Sequence, residues 1–306
     1  MDDVLVVGEA LVDIVQRVDG SIAEHPGGSP ANVALGLARL GRRTSLLTRI
    51  GDDERGREIC RHLEAGGVRL VPGSLTGQRT STATARLDHL GAASYEFDLD
   101  WRLPTGAGIG DCLALHTGSI AAFLAPGGDA VLDLVARATG QVTVSYDPNI
   151  RPRLMGEPPA ARARVERLVA ACDVVKVSEE DLGWLAPGED VPDVVRGWLG
   201  SGPAVVVVTS GGEGAHGLTR AGSVDVAAPP IVVRDTVGAG DAFMAGLLDY
   251  LTGADLLGPA RREALRSMDL TTLSAMLGHA VRVAAFTCTR SGAQPPTRAE
   301  LDAWVA

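Results

Sequence analysis

Residues 233–248 read VRDTVGAGDAFMAGLL, and the stretch predicts an apolar approach, a glycine turn and then a helix. Gly238, Ala239 and Gly240 carry little or no Cβ bulk, so the backbone there can come close to whatever lies above the turn. From Asp241 onward Ala242, Phe243, Met244, Ala245, Leu247 and Leu248 make a mostly apolar run, as a buried helix requires. The first N–H groups of a helix have no internal partner, and its start carries roughly +0.5 of an elementary charge. Such a turn is a ready anion site. Asp241 stands at that start, where a carboxylate can serve simply as a cap. Beside an anion hole it also suits phosphoryl transfer: the N–H groups hold phosphoryl oxygens while the carboxylate takes the proton of an attacking hydroxyl. Other glycine-loop readings fit less well. A dinucleotide fingerprint needs a third glycine where Phe243 stands, and a P-loop needs Gly-Lys-Ser/Thr with no lysine nearby.

Outward from this stretch, 306 residues with 45% hydrophobic and 22% charged content are ample for one large α/β domain. A net charge of −10 and the lack of a basic run argue against a nucleic-acid partner. An anionic ligand must then be held by local dipoles, metal ions and a few placed cations. Cys60, Cys112, Cys172 and Cys288 are scattered without metal-ligand spacing and read as buried thiols of a reducing cytosol. Met1–Asp3 is acidic where a signal peptide needs a basic region, and no apolar run approaches the ~20 residues of a membrane span, so a cytoplasmic protein without a membrane partner is expected. Lys176 is the only lysine among 28 basic residues.

Val4–Val7 reads as a buried strand, and residues 10–18 alternate as a strand with one wet face that carries Asp13. Residues 26–41, PGGSPANVALGLARLG, hold the helix-start signals Ser29 and Pro30 and the stop signal Gly41. Gly27 and Gly28 let the chain pass close beneath a ligand, and Asn32 offers donor and acceptor to a hydroxyl. Residues 80–98 alternate around a turn at His89–Gly91 and predict a hairpin that pairs with 10–18 in a small separate sheet. From Leu113 onward strands alternate with helices. Asp147, Asn149 and Arg151 in DPNIR follow the strand Val142–Tyr146, on the edge where open α/β sheets bind ligands, although an Asx turn explains them as well. Val174–Val177 is a strand containing Lys176, and Ser178 with Asp181 forms a capping box. Val205–Thr209 is a strand before the glycine-rich Ser210–Gly214, and a long apolar helix lies around Thr272–Thr287.

DTVGAGDAF, residues 235–243, resembles the C-terminal signature DTxGAGDxF of the ribokinase-like (PfkB) sugar kinases, and GGSPAN, residues 27–32, is similar to their N-terminal GGxxxN. The resemblance runs from Val4 to Ala293. It implies a three-layer α/β/α fold with a mostly parallel central sheet and a small β lid, formed by about 10–18 and 80–98, that also offers a homodimer surface. It implies transfer of the γ-phosphoryl of ATP to a hydroxymethyl group of a small sugar. Asp241 would be the base; Gly238, Ala239 and Gly240 the anion hole; Asp13, Gly27, Gly28, Asn32 and Arg151 the sugar contacts. Lys176, Ser178, Thr209, Gly212, Gly214 and Gly240 would line the nucleotide. Mg2+ would bridge the phosphates with help from Asp181, and a monovalent cation such as K+ would sit near Asp235. Here the family's N-x-x-E is Ser178-x-x-Asp181 with a shorter reach, and Val281 stands where an Asn or His usually meets adenine. Trp101 and Arg102 match an aromatic and an arginine over the sugar in some relatives. GEALVDIV, PGGSPANVA and DPNIRP together favour fructose; ketodeoxygluconate, ribose and a nucleoside follow. A catalytically silent sugar sensor, and a nucleotide-dependent oxidoreductase lacking its third glycine, are the readings from other classes.

Overall fold

The computed structural model describes residues 2–87, 93–104 and 106–305. The turn expected at His89–Gly91 lies outside the described residues. The strands are β1 (Asp2–Val7), β2 (Leu11–Gln16), β3 (Ile22–Gly27), β4 (Thr44–Leu47), β5 (Ile50–Gly51), β6 (Arg69–Leu70), β7 (Leu75–Thr76), β8 (Thr82–Leu87), β9 (Ala93–Asp98), β10 (Cys112–Gly118), β11 (Thr143–Asp147), β12 (Val174–Ser178), β13 (Val205–Thr209), β14 (Ala215–Thr219) and β15 (Gly222–Val226). The helices are α1 (Ser29–Arg39), α2 (Glu54–Ala65), α3 (Gly127–Ala138), α4 (Pro152–Met155), α5 (Pro158–Ala171), α6 (Glu179–Leu185), α7 (Val191–Ser201), α8 (Ala239–Gly253), α9 (Arg262–Arg266), α10 (Leu270–Cys288) and α11 (Arg298–Ala303).

Among the described residues, nine strands form one sheet in the order β15-β14-β13-β12-β11-β10-β1-β4-β6. Pairing is parallel from β6 to β13, and β14 and β15 close the edge as an antiparallel hairpin. The parallel strands read as near-continuous apolar runs (VVVVT in β13) because helices cover both faces. On one face α1, α8 and α10 pack over Val4, Val6, Val205 and Val207. Small residues bring these helices together: a methyl on Gly36 would meet Ala245 Cβ at 2.8 Å, and one on Gly246 would meet Ala280 Cα at 2.7 Å. On the other face α3, α5, α6 and α7 bury Leu115, Val144, Tyr146, Val175 and Val206.

The chain leaves β1 toward β4 on one side and returns to β10 on the other. This reversal opens a crevice at the carboxyl ends of β1 and β10, the usual place for a ligand in such a sheet. Over it stands a second sheet of four strands, β3-β2-β8-β9, with β2 parallel to β8 and antiparallel to β3, and β8 antiparallel to β9. The expected hairpin and its pairing with residues 10–18 are both present, and β3 joins them as an edge strand that the sequence pattern did not reveal. Of the four cysteines, Cys112 and Cys172 are buried as expected, whereas Cys60 and Cys288 are only half-buried.

Candidate active site

Helix α8 begins at Gly238, whose φ of 75° lies in the left-handed region that favours glycine. A methyl there would also meet Ala293 Cβ at 2.6 Å. The turn closes with Ala239 N–H donating to Thr236 O and Ala242 N–H to Gly238 O, at 3.1 and 2.8 Å. The N–H groups of Gly238, Gly240 and Asp241 take no part in these bonds. Gly240 is exposed, so its unpaired donor lies at an open surface.

Asp241 is 93% enclosed, with 7% exposure, and its carboxylate is held from two sides. Ser29 Oγ donates to Oδ1 at 2.7 Å and Asn32 Nδ2 to Oδ2 at 2.8 Å, both from the start of α1. Asn149 Nδ2 reaches Oδ1 at 3.5 Å. The Asn149 amide orientation follows from chemistry: Arg151 Nη1 donates to Asn149 Oδ1 at 2.8 Å, and an arginine can only donate. The amide nitrogen must therefore face Asp241. Asn149 adopts φ of 40° while its N–H donates to Asp147 Oδ1 at 3.2 Å, so the Asx turn after β11 aims this side chain.

Beside the turn, Lys176 Nζ donates to Asp147 Oδ2 at 2.9 Å, and both side chains are almost wholly buried. Burial alone would pull the Lys176 ammonium down, but Asp147, Asp181 and Asp241 face it and hold it above its usual range, so it stays charged. Burial pushes Asp147 up to about 6, against the lowering effect of Lys176. A methyl on Gly240 would lie 3.1 Å from Lys176 Nζ, which puts a fixed cation next to the free N–H groups.

Gly27 and Gly28 bound the opposite wall. A methyl on Gly27 would sit 2.0 Å from Asp13 Oδ2, and Gly28, with φ of 104°, runs against Glu9 O. Asp13 is open to solvent, yet protein surrounds it, as at the floor of a cleft; this burial pushes its carboxyl up to about 6, opposed by Arg151. Arg151 is folded onto its own turn, on Asn149 and Ile150 carbonyls, and its charge acts on Asp13 and Glu9. The structure thus gathers Asp13, Gly27, Gly28, Asn32, Arg151, Lys176, Gly240 and Asp241 about one crevice.

The remaining expected residues take other places. Thr209 and Ser178 are register partners at the next strand ends, and Gly212 lies in the 3-10 turn Gly211–Glu213, followed by Gly214 with φ of 115°. Ser178 and Asp181 form the capping box of α6, and Asp181 also accepts Ile150 N–H at 3.0 Å. Each Asp181 oxygen thereby accepts a backbone N–H, so any part in holding magnesium falls to its remaining lone pairs. Asp235 accepts Gly292 N–H at 2.8 Å and Val237 N–H at 3.0 Å, bonds that stabilise its carboxylate and hold its pKa below the usual carboxylate range. Trp101 is not open over the crevice: it is 3% exposed, and its Nε1 donates to Ala121 O at 2.9 Å. Arg102 is exposed and pairs with Asp100. His279 of α10 bonds Asp249 at 2.7 Å, as do Arg42 and Arg298.

Three participants had weaker signals. Ser29 read only as a helix start, and Asn149 as a residue of the ligand-binding strand edge that an Asx turn explains equally well. Glu9 gave no signal, because its partners, Ser119 and Ala121, lie more than a hundred residues away. It is 5% exposed, and burial pushes it up to about 7.

Residues 1–300 match the model of the pfkB family carbohydrate kinases. The chain is 37% identical over 265 residues to a fructokinase of Rhizobium leguminosarum bv. trifolii, covering 83% of this chain and 81% of that protein. A fructokinase from Xylella fastidiosa with bound ATP superposes with a TM-score of 0.84 at 26% identity, over 98% of this chain and 97% of the other. A double mutant of the Vibrio cholerae O395 fructokinase with fructose, ADP and potassium ion bound has a TM-score of 0.80 at 28% identity, over 100% and 99% of the two chains.

Proposed function

The chain belongs to the pfkB family of carbohydrate kinases, and from that premise we propose that it transfers the γ-phosphoryl group of ATP to a hydroxymethyl oxygen of fructose. The observation that carries the reading is Asp241, a carboxylate clamped at the start of α8 beside free N–H groups and the buried charge of Lys176. The free N–H groups of Gly238, Gly240 and Asp241 hold the γ-phosphoryl oxygens, Ala239 N–H being already engaged by Thr236 O, and the Asp241 carboxylate takes the proton from the attacking hydroxyl. Asp13, Gly27, Gly28, Asn32 and Arg151 hold the sugar. Lys176, Ser178, Thr209, Gly212 and Gly214 line the nucleotide phosphates.

Among the described residues no group of three or more His, Cys, Asp or Glu side chains is placed to hold a metal. This sparse donor set fits magnesium carried between the phosphates of ATP, since that ion commonly takes only one or two carboxylates. Near Asp235 the backbone of α10 ends, with Cys288 O accepting the N–H of Arg234 and Asp235. A helix C-terminus and a carboxylate together suit a monovalent cation such as potassium. The small sheet acts as a lid over the sugar. Val18, Ile22 and Tyr95, exposed on or beside it, support its use as a homodimer surface. No described helix is long and apolar enough to cross a membrane; the proposed setting is the cytoplasm, where ATP and the sugar meet.

A panel of fructose, ketodeoxygluconate, ribose and nucleosides, read by coupled ADP detection, tests the substrate. Fructose is expected to give the highest kcat/KM. Asp241→Asn is expected to bind ATP normally while kcat falls by about 10²–10⁴; near-normal turnover would reduce Asp241 to a helix cap.

A further inference from the structure

We propose that Ser29 is a positioning residue for the base, its hydroxyl holding Asp241 in the orientation that receives the proton of the sugar. This rests on the reading of Asp241 as the base. Ser29 is the first residue of α1, yet its side chain makes no cap for that helix. Its Oγ instead crosses to α8 and donates to Asp241 Oδ1 at 2.7 Å, between two residues that are 8% and 7% exposed. The backbone on either side is fixed, by Gly28 at φ 104° and by the ring of Pro30. The hydroxyl therefore has a set position before any ligand arrives.

An aspartate has two rotatable side-chain torsions, so one donor on each oxygen is needed to fix the carboxylate plane. Ser29 supplies Oδ1 and Asn32 supplies Oδ2. Asn32 is also an expected sugar contact, so its amide is shared once the sugar binds. Asn149 reaches Oδ1 only at 3.5 Å, at the outer limit of a hydrogen bond, and cannot replace a 2.7 Å contact. Ser29 Oγ has no other hydrogen bond among the described residues. An ionised carboxylate accepts about four bonds, so these donors leave a lone pair for the incoming hydroxyl. The serine keeps its own proton throughout.

The test compares Ser29→Ala and Ser29→Thr with the parent enzyme under saturating MgATP and fructose. Alanine suits the first turn of a helix and removes no cap here. In Ser29→Ala, kcat is expected to fall about 10–100-fold, the scale of a misplaced catalytic group, with KM for fructose and for ATP within about twofold. Ser29→Thr keeps the hydroxyl and is expected to recover most of the loss. Near-normal kcat in Ser29→Ala overturns the proposal. So does a raised KM for fructose with kcat intact, which would make Ser29 a sugar contact. Equal loss in Ser29→Thr and Ser29→Ala at matched thermal stability also overturns it, because the hydroxyl would not be the operative group. Asp241→Asn in the same assay separates the two readings: full activity there removes the base itself, whereas an inactive Asp241→Asn beside a fully active Ser29→Ala removes only the positioning role.

Discussion

Glu9 lies closed off behind the Gly27–Gly28 turn, and burial holds its carboxyl at about 7 against an ordinary value of 4.5. Between those two values the folded chain keeps a proton that the unfolded chain has released, so folding stability falls as pH rises through the window. Glu9→Gln cannot titrate and keeps an acceptor for Ala121 N–H. Relative to the parent it is expected to gain about 3 kcal/mol between pH 4.5 and pH 7.5. Denaturant unfolding of both proteins across that range measures the gap, and contributions from Asp13 and Asp147 cancel in the difference. Parallel stability curves would mean that Glu9 ionises as in water. Such residues set the limit of what the sequence discloses. Asp241, Gly27, Gly28 and Asn32 are legible because their spacing along the chain carries the chemistry. Glu9 and Ser29 are not, because each acquires its role from a partner that only the fold brings near.

Among the elements, α6 shows how a local signal can serve two neighbours. Its capping box was legible as Ser178-x-x-Asp181, but the bond from Asp181 to Ile150 N–H was not, since it ties α6 to the DPNIR turn after β11. Asp181→Ala is expected to lose about 2 kcal/mol, a lost cap plus an orphaned buried N–H. The loss should be the same with and without magnesium and ATP. A penalty that appears only when MgATP is bound would instead make Asp181 a ligand of the ion. Two hairpin pieces escaped the sequence pattern for different reasons. In β3, IAEHPG has no clean alternation and carries a proline, which an edge strand tolerates. The pair β14–β15 is short and glycine-containing, and its pairing with β13 depends on tertiary placement. The apolar approach Ile231–Val233 belongs to none of the described strands, and Val232 and Val233 stand exposed before the turn.

For the molecule as a whole, the small sheet over the crevice has little core of its own, and sheets of this size depend on what they pack against. We expect fructose to slow hydrogen exchange in β2, β8 and β9, because closing the lid shields the γ-phosphoryl group from water. ATP hydrolysis without sugar should then be slow. If every accepted sugar slows exchange around Gly238–Asp241 but leaves β2, β8 and β9 unchanged, the sheet is not a lid and Asp13 is an ordinary strand residue. The large sheet was legible as alternating strands and helices, while the position of the crevice came from the reversal between β1 and β10, which strand order alone reveals.

The single lysine gives the chain a built-in reporter of that crevice. A protease that cuts only after lysine has one target, separating residues 1–176 from 177–306. The target lies within β12, 4% exposed and tied to Asp147. Cleavage therefore requires the strand between β11 and β13 to open, and its rate tracks the population of that opened state. ATP should slow the appearance of the two fragments. An arginine-specific protease, with 27 sites spread over the molecule, would report fraying of the periphery instead.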